Sequence, residues 1–243
     1  MNKPLIIAHR GASSRAPENT MASFRKAVEL GADAIELDVH RSKDGYLMVC
    51  HDERVDRTSN GKGYIKDFTL RELKSLDAGR WFGEEFKGER MPLLEEVLEL
   101  VLKNNILLNI ELKNGPIFYE GIERDVINLV KNYGLVDETI ISSFNHYSLL
   151  QVKGIEPRIK TGILYIAGMV SPWEYAKIAK ADAIHPLFFT INKDIVLGTI
   201  RNGIAVNPFT VDRESDIELM NQIGVSGIIT NYPDVARKIV DKD

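Results

Sequence analysis

Short apolar runs alternate with amphipathic stretches along this chain, and that rhythm restricts its fold more than any other feature. Apolar runs of strand length fall at residues 5–11, 34–40, 47–52, 106–113, 139–144, 161–165, 183–187, 204–211 and 226–231. Helical patterns lie between most of them, at 18–30, 93–103, 121–132, 146–152, 172–180, 193–202, 214–222 and 233–240. In the first of these, Met21, Phe24, Ala27 and Val28 recur at helical spacing, and Gly31 follows as a stop. Such alternation implies parallel strands joined by right-handed crossovers. With one hairpin set aside, eight βα units remain. Eight units in 243 residues fit a closed (β/α)8 TIM barrel spanning 1–243 as one domain. An open doubly wound sheet is the alternative.

One segment breaks the rhythm. Residues 53–91, which follow the second strand and its hairpin, hold no clear core strand and contain Ser59-Asn60-Gly61-Lys62-Gly63, Asp77-Ala78-Gly79 and Gly83. Stretches of this kind are functional loops or small insertions. Two readings stay open: a lid or wall over the barrel mouth, or a small decorative subdomain. Net charge narrows the partners. Lys and Arg total 31 against 35 Asp and Glu, a formal charge of −4, which argues against sequence-independent nucleic-acid binding. An anionic substrate would need local cations. No apolar stretch approaches the ~18 residues of a membrane span, so stable membrane insertion is not expected. The single cysteine, Cys50, cannot form an intrachain disulfide, and a cytoplasmic location is the default expectation. Homo-oligomerisation is left open.

The chemistry gathers at strand ends. Glu36 and Asp38 lie two apart in Ala34-Ile35-Glu36-Leu37-Asp38-Val39, so a strand points both to one face and Ile35, Leu37 and Val39 to the other. Two adjacent buried carboxylates need neutralising, which a hard divalent cation such as Mg²⁺ or Ca²⁺ does with oxygen ligands. Glu111 repeats the pattern in Asn109-Ile110-Glu111-Leu112-Lys113. The competing reading pairs each acid with a nearby Lys or Arg. In a barrel, residues at strand C-terminal ends converge on the active face. His9 ends the first strand, beside Arg10. Asp44-Gly45 signals a hairpin turn that brings His51 back across from Leu37 and Asp38. Two histidines flanking a metal suit paired proton transfers, one from a nucleophile and one to a leaving oxygen. Arg10 and Lys113 are cations placed with the acids, suited to phosphate oxygens and to ion pairs alike. His40, His146 and His185 read as structural by default, with a place at the barrel mouth left open for His146, which follows the strand Ile141-Ser142-Ser143-Phe144-Asn145. Cys50 reads as a core thiol aimed away from the site.

These residues together resemble a known family. His9-Arg10-Gly11, Pro17-Glu18-Asn19-Thr20, Glu36-Leu37-Asp38-Val39, Lys43-Asp44-Gly45, His51-Asp52, Arg57-Thr58, Leu76-Asp77-Ala78-Gly79 with Trp81-Phe82, Pro92 with Leu94-Glu95-Glu96-Val97, Asn109-Ile110-Glu111-Leu112-Lys113 and Ser142-Ser143-Phe144 are similar to the glycerophosphodiester phosphodiesterase family. The resemblance runs from Ile6 to about Asp234. It implies a (β/α)8 barrel, a divalent cation (Mg²⁺ or Ca²⁺), and hydrolysis of a small-molecule phosphodiester to glycerol 3-phosphate and an alcohol. It also implies His9 and His51 as the acid/base pair, Glu36, Asp38 and Glu111 as metal ligands, and Arg10 and Lys113 as phosphate contacts. The nucleophile it implies is the substrate's own 2-hydroxyl, giving a cyclic phosphate that water opens. Two positions depart from the family pattern. Phe209 stands where many members have Trp; it keeps an aromatic wall for the substrate but lacks the indole N–H. Asn231 stands where Asp is common. Two other functions compete: a lysophospholipase D acting on lipid head groups, with Trp81, Phe82 and Phe86 as an apolar rim, and a non-catalytic phosphoester-binding barrel. A histidine-metal amidohydrolase is rejected, because the first strand lacks His-x-His.

Overall fold

The structure is a computed structural model that describes residues 3–242. Its strands are β1 (Leu5–Ala8), β2 (Ala34–Arg41), β3 (Leu47–Val49), β4 (Leu107–Leu112), β5 (Thr139–Ser143), β6 (Lys160–Tyr165), β7 (Ala183–Pro186), β8 (Ala205–Val206) and β9 (Gly227–Thr230). The helices are α1 (Met21–Glu29), α2 (Leu70–Ser75), α3 (Leu94–Asn104), α4 (Ile122–Asn132), α5 (His146–Ile155), α6 (Pro172–Ile178), α7 (Lys193–Arg201), α8 (Glu214–Ile223) and α9 (Pro233–Lys242). The strands run in the order β8-β7-β6-β5-β4-β2-β1-β9, with β3 antiparallel on β2. The circuit is completed by backbone bonds from Ser226 N to Val206 O (2.8 Å) and from Val211 N to Ile229 O (2.9 Å). Eight parallel strands alternating with helices therefore form a nearly closed barrel.

The two faces of β2 and β4 show why the sequence folds this way. Ile35, Leu37, Val39, Ile110 and Leu112 point outward and join Val97, Leu98, Val101 and Val126 of the surrounding helices in one buried core. Burial of these side chains at roughly 25 cal/mol per Å² is what holds the helices on the sheet. The alternate residues of the same strands, Glu36, Asp38, Asn109 and Glu111, point inward. A glycine makes room among these inward residues: a Cβ at Gly162 would lie 2.5 Å from His185 Nε2.

Three elements differ from the sequence expectation, each for a local reason. The helix expected over 18–30 begins at Met21, because Thr20 adopts extended backbone and its hydroxyl accepts from Ser23 N as an N-cap. Residues 17–20 are thereby released from the helix. The strand expected over 204–211 is regular only at Ala205–Val206. Pro208 has no N–H to offer a ladder, and its carbonyl accepts from Ile229 N instead. The strand expected over 47–52 ends at Val49, although its register is as expected: Val39 pairs with Val49, which sets His51 across from Leu37. Residues 53–91 carry α2 and two 3₁₀ turns, Ile65–Asp67 and Glu84–Phe86. They gather a core of their own from Val55, Ile65, Leu73 and Met91 with Met48 and Cys50 of the hairpin.

Candidate functional site

The parallel register of β2 and β4 brings the acids together. Asp38 pairs with Glu111 and Glu36 with Asn109. Glu36, Asp38 and Glu111 are 3%, 1% and 8% exposed, and oxygen atoms from all three lie within 4.8 Å of one another. Lys113 Nζ sits 2.9 Å from Glu111 Oε1 and 3.5 Å from Asp38 Oδ1. Arg10 Nε lies 3.7 Å from Asp38 Oδ2, while the Arg10 backbone N–H donates to Glu36 Oε2 (2.8 Å). The cations expected beside the acids are there, and they also pair with them.

The electrostatics are those of a centre short of positive charge. Burial, then the neighbouring Asp38 and Glu111, pushes Glu36 well above the carboxylate range. Burial, then Asp38, raises Glu111 to about 7. Burial opposes ionisation of Asp38 too, but Lys113 and Arg10 outweigh it and hold that carboxyl below its usual range. Asp38 Oδ1 is buried without a hydrogen-bond partner. Three oxygen donors, one of them without a hydrogen-bond partner, with two carboxyls pushed up by burial and by their neighbours, fit a hard divalent cation.

His9 and His51 line the same cavity of about 200 Å³, together with Arg10, Glu36, Glu111 and Phe209. His9 follows β1 in a tight turn: Arg10 and Gly11 have φ of 56° and 82°. Gly11 is required there, because a Cβ would fall 2.5 Å from Ser23 Oγ. The His9 Nδ1 lies 2.7 Å from Asn231 Oδ1. The amide's other end, Nδ2, meets Asp212 Oδ2 at 2.7 Å. A carboxylate there accepts, so Nδ2 donates, Oδ1 accepts, and His9 carries its proton on Nδ1. Desolvation, then the Arg10 charge, lowers His9 to about 4. His51 Nδ1 lies 2.6 Å from Asp52 Oδ1. Its ring is also lowered, by desolvation first, with Asp38 pulling the other way. Phe209 packs edge-on against Phe144 at 6.0 Å between centroids and walls the cavity.

Several groups around the site carry no role in the sequence reading. Glu18, released from α1, accepts from Arg10 Nη1 (2.9 Å) and from both terminal nitrogens of Arg57 (2.8 Å each). Arg57, from the 53–91 segment, also donates through Nε to Asp52 Oδ2 at 2.7 Å. One guanidinium thus braces the partner of His51 and the partner of Arg10. Asn19 Nδ2 donates to Asp38 Oδ2 (2.8 Å). The signal was available: Glu18, Asn19, Asp52 and Arg57 all stand in the motif fragments that carry the family resemblance. The remaining histidines do not line that cavity. His40 bridges Tyr119 OH and the His51 carbonyl (3.1 Å each), His146 bridges Tyr175 OH and the Leu164 carbonyl (2.8 Å each), and His185 is buried. Cys50 is buried and its thiol pushed up to about 12 by desolvation, so it is no nucleophile. Trp81, Phe82 and Phe86 stack edge to face on one another. No helix among the described residues is long and apolar enough to cross a membrane.

Fold and site together define a class: a parallel β/α barrel with three clustered buried carboxyls and two histidines at the strand C-terminal ends. Comparison with known proteins narrows it. The model of the glycerophosphoryl diester phosphodiesterase family matches residues 9–235. A glycerophosphodiester phosphodiesterase of Caldanaerobacter subterraneus subsp. tengcongensis is 52% identical over 99% of each chain. One from Bacillus subtilis is 36% identical over 97% of this chain and 86% of its own. An Oleispira antarctica phosphodiesterase solved with the product sn-glycerol-3-phosphate superposes with a TM-score of 0.88 at 32% identity, covering 98% and 97% of the two chains. The chain belongs to the glycerophosphoryl diester phosphodiesterase family, a family of phosphoric diester hydrolases.

Proposed function

We propose that the protein hydrolyses glycerophosphodiesters to sn-glycerol 3-phosphate and an alcohol, with a divalent cation and two histidines, and that residues 1–243 act as one barrel domain. The observation that carries the reading is the meeting of Glu36, Asp38 and Glu111 within 4.8 Å, with Glu36 and Glu111 lining a cavity shared with His9 and His51. The three carboxylates would hold Mg²⁺ or Ca²⁺. Such an ion supplies charge neutralisation at the phosphoryl oxygens. Arg10 and Lys113 contribute fixed positive charge to the same oxygens. Phe209 contributes an apolar wall for the substrate.

The proton work falls to the imidazoles. One takes the proton of the substrate's glycerol 2-hydroxyl as that oxygen bonds to phosphorus. The other gives a proton to the alcohol oxygen as its P–O bond breaks. The tethered hydroxyl gains the high effective molarity of an intramolecular nucleophile. Water then opens the cyclic phosphate with the proton transfers reversed. The product-bound Oleispira antarctica relative supports a glycerol-phosphate site in this fold.

Hydrolysis of glycerophosphocholine, followed by release of sn-glycerol 3-phosphate, tests the reading. Activity is expected to vanish in EDTA and to return on addition of Mg²⁺ or Ca²⁺, and either ion is expected to raise the Tm of chelated protein. Full turnover in the chelator would remove the metal from the mechanism. Ligand-induced stabilisation without product release would favour a phosphoester-binding barrel instead.

A further inference from the structure

Two cavities open beside Glu111 and Phe144, and they differ in which of their polar atoms are left without hydrogen-bond partners. The one that holds the histidines is lined in part by Asn109 and Ser142. Both residues are buried, and Asn109 Oδ1 and Ser142 Oγ lack hydrogen-bond partners. Unpartnered polar atoms beside a cavity suit a ligand with hydroxyls.

The second cavity is larger, about 400 Å³, and has Lys113, Asn114, Phe118, Asn145 and Tyr147 among its walls. Several of its polar side-chain atoms are already engaged. Asn114 Nδ2 donates to Glu123 Oε1 and Ser148 Oγ (3.0 Å each), while Asn114 Oδ1 accepts from Tyr119 N. Ser143 Oγ donates to the Leu112 carbonyl and accepts from Asn145 N. Asn145 Nδ2 donates to the Asn114 carbonyl. The Lys113 charge is matched by Glu111 at 2.9 Å. What remains open is aromatic: Phe118 is 75% exposed, Tyr147 79% and Phe144 49%. A polyol entering here would exchange water for walls that return few hydrogen bonds. A methylated ammonium has no N–H to leave unpaired, and its charge is attracted to ring faces.

Glu111 and Phe144 border both cavities, so a phosphorus atom held beside Glu111 is within reach of both. We infer that the aromatic cavity is the leaving-alcohol subsite, and that Phe118 and Tyr147 select alcohols bearing an alkylated ammonium group over polyols. This rests on the phosphodiesterase reading above. The phosphoryl-glycerol half then occupies the cavity with the histidines.

Steady-state kinetics on glycerophosphocholine and glycerophosphoglycerol test the inference, in the wild type, Phe118→Ala, Tyr147→Ala and the double variant. The wild type is expected to favour the choline ester by about tenfold in kcat/KM. Each substitution should raise KM for that ester about two- to fivefold with kcat retained, leaving the glycerol ester within about twofold. Phe118→Tyr and Tyr147→Phe, which keep the rings, should restore wild-type KM. Wild-type preference for the polyol ester, or equal losses on both substrates, would overturn the subsite while leaving the phosphodiesterase reading intact. Inertness of the wild type toward both esters in the presence of divalent metal would overturn both.

Discussion

His9 and His51 share one cavity but are held in different ways. The His9 Nδ1 donates to a neutral amide, Asn231, which is itself fixed by Asp212. The His51 Nδ1 meets a carboxylate, Asp52, which is braced by Arg57. Asp52 is held near 2: burial opposes this, but hydrogen bonds from Arg57 and then His51 prevail. It therefore stays ionised and can compensate a proton arriving on His51. Nothing equivalent touches the His9 Nδ1. The contrast teaches that a pair of imidazoles can be oriented alike, with the proton on Nδ1, while only one has a carboxylate in direct contact with that nitrogen.

Removal of either imidazole is the largest expected effect. His9→Ala and His51→Ala should each lower kcat by about 10²-fold or more. Wild-type turnover in either variant would take that residue out of the mechanism and end the comparison. The carboxylate is tested next. Asp52→Asn keeps the shape but removes the compensating charge, and kcat should fall by about tenfold or more, with a smaller change in KM. A variant that turns over at the wild-type rate would show that Asp52 only anchors Arg57.

The smallest effect probes the other side. Asn231→Asp replaces the amide nitrogen that lies 2.7 Å from Asp212 Oδ2 with a second oxygen. Two carboxylates at that distance cannot both ionise freely, so one is pushed to a higher pKa in the folded state. The clash is then present at neutral and alkaline pH and is relieved as pH falls and the pair takes up a proton. Thermal melts should show Tm lowered by about 3 °C or more at pH 8, with the gap closing toward pH 4. Equal Tm values for the two proteins across that range would mean that Asp212 does not fix the orientation of the amide at His9.

Much of the site was legible because it obeys short-range rules. Period two puts Glu36 and Asp38 on one face, and the same rule applies to Asn109 and Glu111. The Asp44-Gly45 turn fixes the hairpin register and thus the place of His51. Other parts obey no such rule. Glu18 was absorbed into an expected helix, because the local pattern cannot tell that Thr20 will cap at the next turn. Arg57 reaches Glu18 across 39 positions and Asn231 reaches His9 across 222. Such pairs are set by where the barrel closes.

The sequence by itself determined the parallel β/α rhythm, the polar and apolar faces of β2 and β4, and the aim of Cys50 away from His51. These follow from periodicity and from the cost of burying charge without a partner. Only the tertiary structure decided that Asp38 and Glu111 stand side by side, that Arg57 joins two arms of the site, and that Asn114 and Ser143 are already bonded while Asn109 Oδ1 and Ser142 Oγ are not. Inter-strand register and hydrogen-bond partnership depend on how distant segments meet in space, and no local pattern of residues encodes that meeting.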